Sequence, residues 1–147
     1  MTIPKALVPL SITVRFVETD EMAVVHHSNH IIWFEAGRVA WMDAAGIPCR
    51  EVAAGGNHFA VTGIQVEYRD ATRFGDAVRV DTWVSELRSR KVSFAYEVRN
   101  SDDDRLLVSG VSQHICVDLE GKMTKIPKSV FDRLRAGNAR LAEAGNR

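Results

Sequence analysis

The sequence predicts an α+β fold in which a curved five-stranded antiparallel sheet wraps one long apolar helix, with an amphipathic helix at the C-terminus. Three observations predict it. Residues 28–46 carry apolar side chains around most of a helix circumference. Five other segments read as strands, most by period-two alternation. The order is one strand, the helix, four strands and a final helix. A helix that is apolar nearly all round needs covering, and a single sheet covers it by curving around it.

The first strand is expected over residues 11–18, SITVRFVE, where Ile12, Val14 and Phe16 face one way and Thr13 and Arg15 the other. Ser28 or Asn29 is the expected N-cap of the long helix, because a short side-chain oxygen accepts from first-turn amides. Gly46 followed by Pro48 is the expected stop. Gly37, inside the helix, costs about 1 kcal/mol against alanine, which predicts another backbone passing close by. A Gly-rich connection, AAGGNHF, follows. AVTGIQVEYR, AVRVDTWVSEL, KVSFAYEVRN and RLLVSGVSQHICVDLEG read as strands. The polar SDDD is a hairpin turn. From Lys128, the residues Val130, Phe131, Leu134 and Leu141 recur at helical spacing among many charges.

The chain of 147 residues is expected to form one domain, 1–147, large enough to bury a core unaided. Lys plus Arg and Asp plus Glu both count 19, so no global field draws it to nucleic acid or a membrane surface. No apolar run reaches the roughly 20 residues that span a bilayer, so no membrane insertion is expected. The N-terminal MTIPKALVPL lacks the pattern of a secretory leader. Cys49 and Cys116 read as free thiols in a reducing compartment, which makes the expected location cytoplasmic. One sheet around one helix leaves an outer face and an edge open. Pairing with a second copy, as a homodimer, is therefore expected; a dimer of dimers, a homotetramer, is a separate expectation that this open edge does not supply.

Chemistry concentrates in ETDEMAVVHHSNH, residues 18–30, where a carboxylate precedes three histidines at a helix start. Read from the residues alone, Asp20 is either a turn carboxylate or a general base. His26 and His30 lie four apart and with Asp20 suggest metal ligands. That spacing shares a helical face only if the helix already includes His26, and no third firm ligand exists, so no metal is expected. His58 and His114 are expected as surface or strand residues.

The stretch RFVETDEMAVVHHSNHIIWFEAGR, in this architecture, resembles the hot-dog-fold acyl-CoA thioesterases of the 4-hydroxybenzoyl-CoA thioesterase type, including the small bacterial enzymes associated with the Tol–Pal system. The resemblance rests on Thr19-Asp20, Val24-Val25, His26-His27 and Phe34-Glu35 with Arg38. Tyr68, Gly75, Asp76 and the VDLEGKMTKIP segment follow in the family's order. Two departures stand beside the expected acyl pocket. Glu21-Met22-Ala23 replaces a Gly-rich loop, and His26 and His30 occupy positions that are often aromatic.

The resemblance implies a thioester hydrolase acting on a small or medium acyl-CoA. Asp20 would serve as base or nucleophile, and the helix N-terminus at or near His27 would polarise the carbonyl. His26 and His30 would flank the acyl group. Arg88, Arg90 and Lys91 would meet the coenzyme A phosphates, with Lys122, Lys125 and Lys128 as the second cluster. Glu35 is the runner-up catalytic carboxylate, against a simple pairing with Arg38 on the same helix face. No cofactor is expected beyond the coenzyme A of the substrate itself. Two alternatives stay open: a non-catalytic module that binds acyl-CoA or acyl carrier protein, and a hot-dog dehydratase or hydratase. The latter lacks its His-Phe-Pro-Gly pattern, although HFAVTG at 58–63 begins similarly.

Overall fold

The computed structural model describes residues 3–145. Five antiparallel strands form one sheet: β1 (Val8–Thr13), β2 (His58–Tyr68), β3 (Ala77–Leu87), β4 (Lys91–Asn100) and β5 (Leu106–Val117). They lie in the order β1-β3-β4-β5-β2. Three helices accompany them: α1 (His27–Ala44), α2 (Cys49–Ala54) and α3 (Lys128–Gly145).

The first strand sits earlier in the chain than its alternation suggests. β1 ends at Thr13, and Phe16–Glu18 form a single 3₁₀ turn that leaves Phe16 and Val17 exposed. The cause is Glu18, whose carboxylate accepts from the Arg15 N–H at 2.8 Å and closes the turn. Pro9 is tolerated within β1 because that strand is an edge and owes no hydrogen bond on its outer side. The short helix α2 was not expected. It lies between the expected helix stop and the Gly-rich connection, overlapping that connection only at Ala53 and Ala54, with Pro48 as its N-cap.

α1 begins at His27 rather than after Ser28 or Asn29. His26 is the N-cap, and its Nδ1 accepts from the Ser28 N–H at 3.2 Å. Asn29 is drawn elsewhere, its side-chain amide donating to the Glu18 carbonyl at 2.8 Å. Nor is the helix covered all round within one chain. It rests on β1, β3 and β4, burying His30, Trp33, Phe34, Gly37, Trp41 and Met42. Ile32 and Val39 stay 55% and 43% exposed on the far side.

The core is aromatic around the helix. Phe34 stacks on Tyr96 with centroids 4.4 Å apart, and Trp41 meets Phe94 edge-on at 5.7 Å. Burying a side chain of this size contributes about 2–3 kcal/mol. α3 closes the C-terminal end of α1, where Gly137 lies against the Ala45 carbonyl and Arg140 donates to Ala44 O at 2.8 Å. That bond satisfies a carbonyl the helix cannot pair internally.

Gly37 is the tightest approach of helix to sheet, although what it meets is side chain rather than backbone. A Cβ there would overlap Thr82 Oγ1 and stand 3.0 Å from Val80 Cγ1. Gly37→Ala sets a gain of about 1 kcal/mol in helix propensity against overpacking of about 1–3 kcal/mol. The expected outcome in urea unfolding is a net loss of stability. A variant as stable as the wild type would show that the contact at Thr82 yields freely.

Candidate active site

Residues 18–26 form a small hairpin that feeds directly into α1. The His26 N–H donates to Glu18 O, Thr19 bridges Val25, and the Asp20 N–H donates to Val24 O at 2.8 Å. Ala23, at the turn, adopts a φ of 63°, a conformation glycine tolerates better. This is one of the positions where the sequence departs from the family's Gly-rich loop.

Glu18 anchors this hairpin to the helix. It is 4% exposed, its Oε2 accepts from Trp33 Nε1 at 2.8 Å, and its carbonyl takes donors from both His26 and Asn29. Burial alone would push the carboxyl pKa up. The Arg15 N–H, the Trp33 indole and the Arg15 guanidinium outweigh burial and hold it below its ordinary value. Sequence reading missed Glu18 because it ends an alternating run. The available signal was an Arg and a Glu three apart at the end of that run.

At the tip of α1 the first-turn donors have no partners inside the helix. Ser28's is taken by the His26 ring and Asn29's by the His26 carbonyl. The His27 N–H has no acceptor among the described residues. Beside it lies a cleft of about 300 Å³ whose lining includes Val25, His27, His30, Tyr68, Asp70 and Thr72. The Tyr68 hydroxyl donates to His27 O at 2.7 Å and pins the helix tip to the end of β2. His30 is buried edge-on between Trp33 and Tyr68. Burial holds its pKa below the ordinary histidine value, so the ring is neutral at neutral pH. Its Nδ1 faces His27 O at 3.4 Å, while its Nε2 has no partner among the described residues.

The remaining candidates fall in three places. Asp20 is half-buried in the hairpin turn, where its Oδ1 accepts from the Met22 N–H at 2.8 Å; it is outside the lining of the cleft. His26 stacks on His27 with ring centroids 4.1 Å apart. Glu35 stands two turns into α1, mostly exposed, with Arg38 3.6 Å away, and does not reach the helix tip. Arg88, Arg90 and Lys91 occupy the β3–β4 turn, where Arg88 pairs with Glu86 at 2.7 Å. Sheet register puts Lys91 opposite Ile115, whereas Tyr68 lies opposite Val108 and, beyond it, Val98. One chain therefore separates the basic turn from the helix tip by about 24 Å of strand. Ile126 donates to Ser89 O, which brings the Lys125–Lys128 segment to the same far end. His58 opens β2 at the surface, and among the described residues no three His, Cys, Asp or Glu side chains converge as a metal site. Cys49 and Cys116 are both free thiols.

Comparison with known proteins supplies the family and the fold. The model of the Thioesterase-like superfamily matches residues 14–134. YneP of Bacillus subtilis, whose name assigns it provisionally as an acyl-CoA thioesterase, is 32% identical over 109 residues, 74% of this chain and 78% of that protein. The acyl-CoA thioester hydrolase YbgC of Escherichia coli is 25% identical over 120 residues, covering 81% and 89%. Among solved structures, hypothetical protein TT1821 from Thermus thermophilus superposes with a TM-score of 0.81 at 36% identity, covering 86% of this chain and 95% of that one. The chain belongs to the thioesterase-like superfamily and has its hot-dog fold. As an enzyme it is a thioester hydrolase.

The depressed pKa of Glu18 sets a pH dependence. A carboxyl whose folded pKa lies below its unfolded value adds stability above the unfolded value and loses it as pH falls through the folded one. Melting temperature should therefore drop on acidification below about 4.5, and Glu18→Gln should weaken that dependence while lowering stability at neutral pH. Thermal melts across that range check it. Identical acid profiles for both proteins would refute the role given to Glu18.

Proposed function

We propose that the protein hydrolyses the thioester of small or medium acyl-CoA molecules, with Asp20 as general base or nucleophile and the His27 N–H as oxyanion donor. The observation that carries this reading is the free first-turn N–H at the tip of α1, beside a cleft and locked by Tyr68. A thioester carbonyl is activated, because sulfur donates poorly into it. What remains is to aim an oxygen nucleophile at the carbon and stabilise the oxygen that becomes negative. A positive helix end with an unused N–H does the second, and one such donor is typically worth about 10²–10³ in rate. With Asp20 as base, a water gives its proton to the carboxylate as it attacks. The tetrahedral intermediate then collapses, breaking the C–S bond and expelling the coenzyme A thiolate, which leaves readily. His26 and His30 flank the acyl group, and the buried Nε2 of the neutral His30 has no protein partner among the described residues.

Arg88, Arg90 and Lys91 enter this reading through a homodimer. β2 is a long edge strand bearing exposed Val61, Ile64 and Tyr68, and such an edge favours pairing. Two-fold antiparallel pairing at β2 would bring the 88–91 turn of one protomer towards the helix tip of its partner. Coenzyme A phosphates and thioester would then be served by different subunits. Exposed Ile32 and Val39 of α1 give the same assembly a further surface to bury, and a dimer of dimers extends it. Two free thiols fit a cytoplasmic setting.

The test is thiol release from a panel of acyl-CoAs, with sedimentation giving the assembly. Asp20→Asn should lower kcat/KM by about 10²-fold or more, the usual scale of a lost base, with the melting temperature kept. Wild-type rates in that variant would remove Asp20 from the mechanism and turn attention to Glu35→Gln. Tight binding of acyl-CoA with no thiol release would identify a binding module instead.

A further inference from the structure

The chain buries a second polar cluster that the proposed hydrolysis does not use. α1 rests on β1, β3 and β4, and where it stops covering the sheet a cavity of about 250 Å³ lies towards β5 and β2. Its lining includes Ile31, Phe34, Arg38, Ile64, Ser112 and His114. Along its floor, the Tyr96 hydroxyl lies 2.6 Å from Ser112 Oγ, which lies 2.7 Å from His114 Nε2.

Only one direction of this chain uses both hydroxyl protons. Tyr96 donates to Ser112, and Ser112 donates to His114 Nε2. Reversed, the Tyr96 proton would have no acceptor among the described residues. The proton of the neutral imidazole therefore sits on Nδ1. Burial first, and the Arg38 charge second, hold the His114 pKa down to about 4, so the ring is uncharged at neutral pH. His114 is 2% exposed, and its Nδ1 has no partner among the described residues. The same holds for Arg38 Nε. Two buried donors beside one cavity, neither with an acceptor, are a costly arrangement unless something brings them an oxygen.

The surroundings narrow what that something is. Glu35 already faces the Arg38 guanidinium at 3.6 Å, so the fitting acceptor is uncharged. Ile31, Phe34 and Ile64 make the walls apolar, which suits a carbon chain. We propose that this cavity is a distal acyl subsite, in which His114 Nδ1–H and Arg38 Nε–H donate to a hydroxyl or keto oxygen on the acyl chain. The proposal rests on the acyl-CoA reading above. Arg38 follows His27 by eleven residues, about 16 Å of helix. The oxygen is therefore carried towards the far end of the chain, away from the thioester.

The test uses the full-length protein and two coenzyme A thioethers that bind without being cleaved, one dodecyl and one ω-hydroxydodecyl. The wild type should bind the hydroxylated thioether about tenfold more tightly, the scale of one buried hydrogen bond. His114→Leu and Arg38→Met should each abolish that preference and leave the plain dodecyl affinity nearly unchanged. Arg38→Met leaves the Tyr96–Ser112–His114 chain whole, so it decides the matter if His114→Leu does not fold. Equal affinity of the wild type for both thioethers would overturn the proposal, as would a preference that survives Arg38→Met. Discrimination between thioethers without hydrolysis of any acyl-CoA would leave the subsite standing and remove the hydrolase reading; hydrolysis without discrimination would do the reverse.

Discussion

The site depends on a single buried carboxylate. Glu18 accepts from the Arg15 N–H and the Trp33 indole, while its carbonyl takes donors from His26 and Asn29. Four groups from three local structures meet on one residue: the 3₁₀ turn, the hairpin and the first turns of α1. A carboxylate withdrawn from water is tolerated only with its hydrogen bonds made, so the arrangement is close to all-or-none. Asn29 and Trp33 turn about the same helix whose tip carries His27. Fixing them fixes the direction in which the free His27 N–H points. Tyr68, reaching from the end of β2, secures the same turn from the opposite side.

The helix serves two kinds of chemistry along its length because the sheet covers it unevenly. Over β1, β3 and β4 the contact is tight, to the point that Gly37 has no room for a methyl group. Towards β5 and β2 the contact opens, and there the polar side chains Arg38, Ser112 and His114 gather. Gly110 belongs to this transition. A Cβ there would stand 2.5 Å from Phe34 and 2.7 Å from the Gln65 carbonyl, so its absence lets Phe34 lie flat on Tyr96. Close packing on one side and a gap on the other let one helix be both a core element and a wall of two cavities.

Much of the architecture was legible in the sequence. Period-two alternation located β3 and β4, since a strand with one buried face repeats every second residue. A long apolar run between a cap signal and Gly46 located α1, and helical spacing located α3. Three local readings failed for a shared reason. The strand expected at 11–18, the N-cap expected at Ser28 or Asn29 and the missed helix α2 before the Gly-rich connection were all judged by neighbours in the chain. What decided the first two was Glu18, which recruits Arg15, His26, Asn29 and Trp33 across up to fifteen residues. A propensity argument has no access to such a partner. His114 is a sharper instance, because in the sequence it reads as one polar residue on an alternating strand. Only packing reveals that its face is the buried one.

The sequence by itself determined the order of the five strands and the two long helices, the apolar helix at their centre and the family motif at residues 19–38, because periodicity and spacing are properties of the chain alone. Tertiary structure decided that the Glu18 carboxylate anchors the helix start, which first-turn N–H stays free, and that the basic turn at 88–91 lies at the far end of the sheet from the helix tip. Those outcomes depend on distances between residues remote in sequence. Strand register and helix placement set such distances, and both are products of the whole fold.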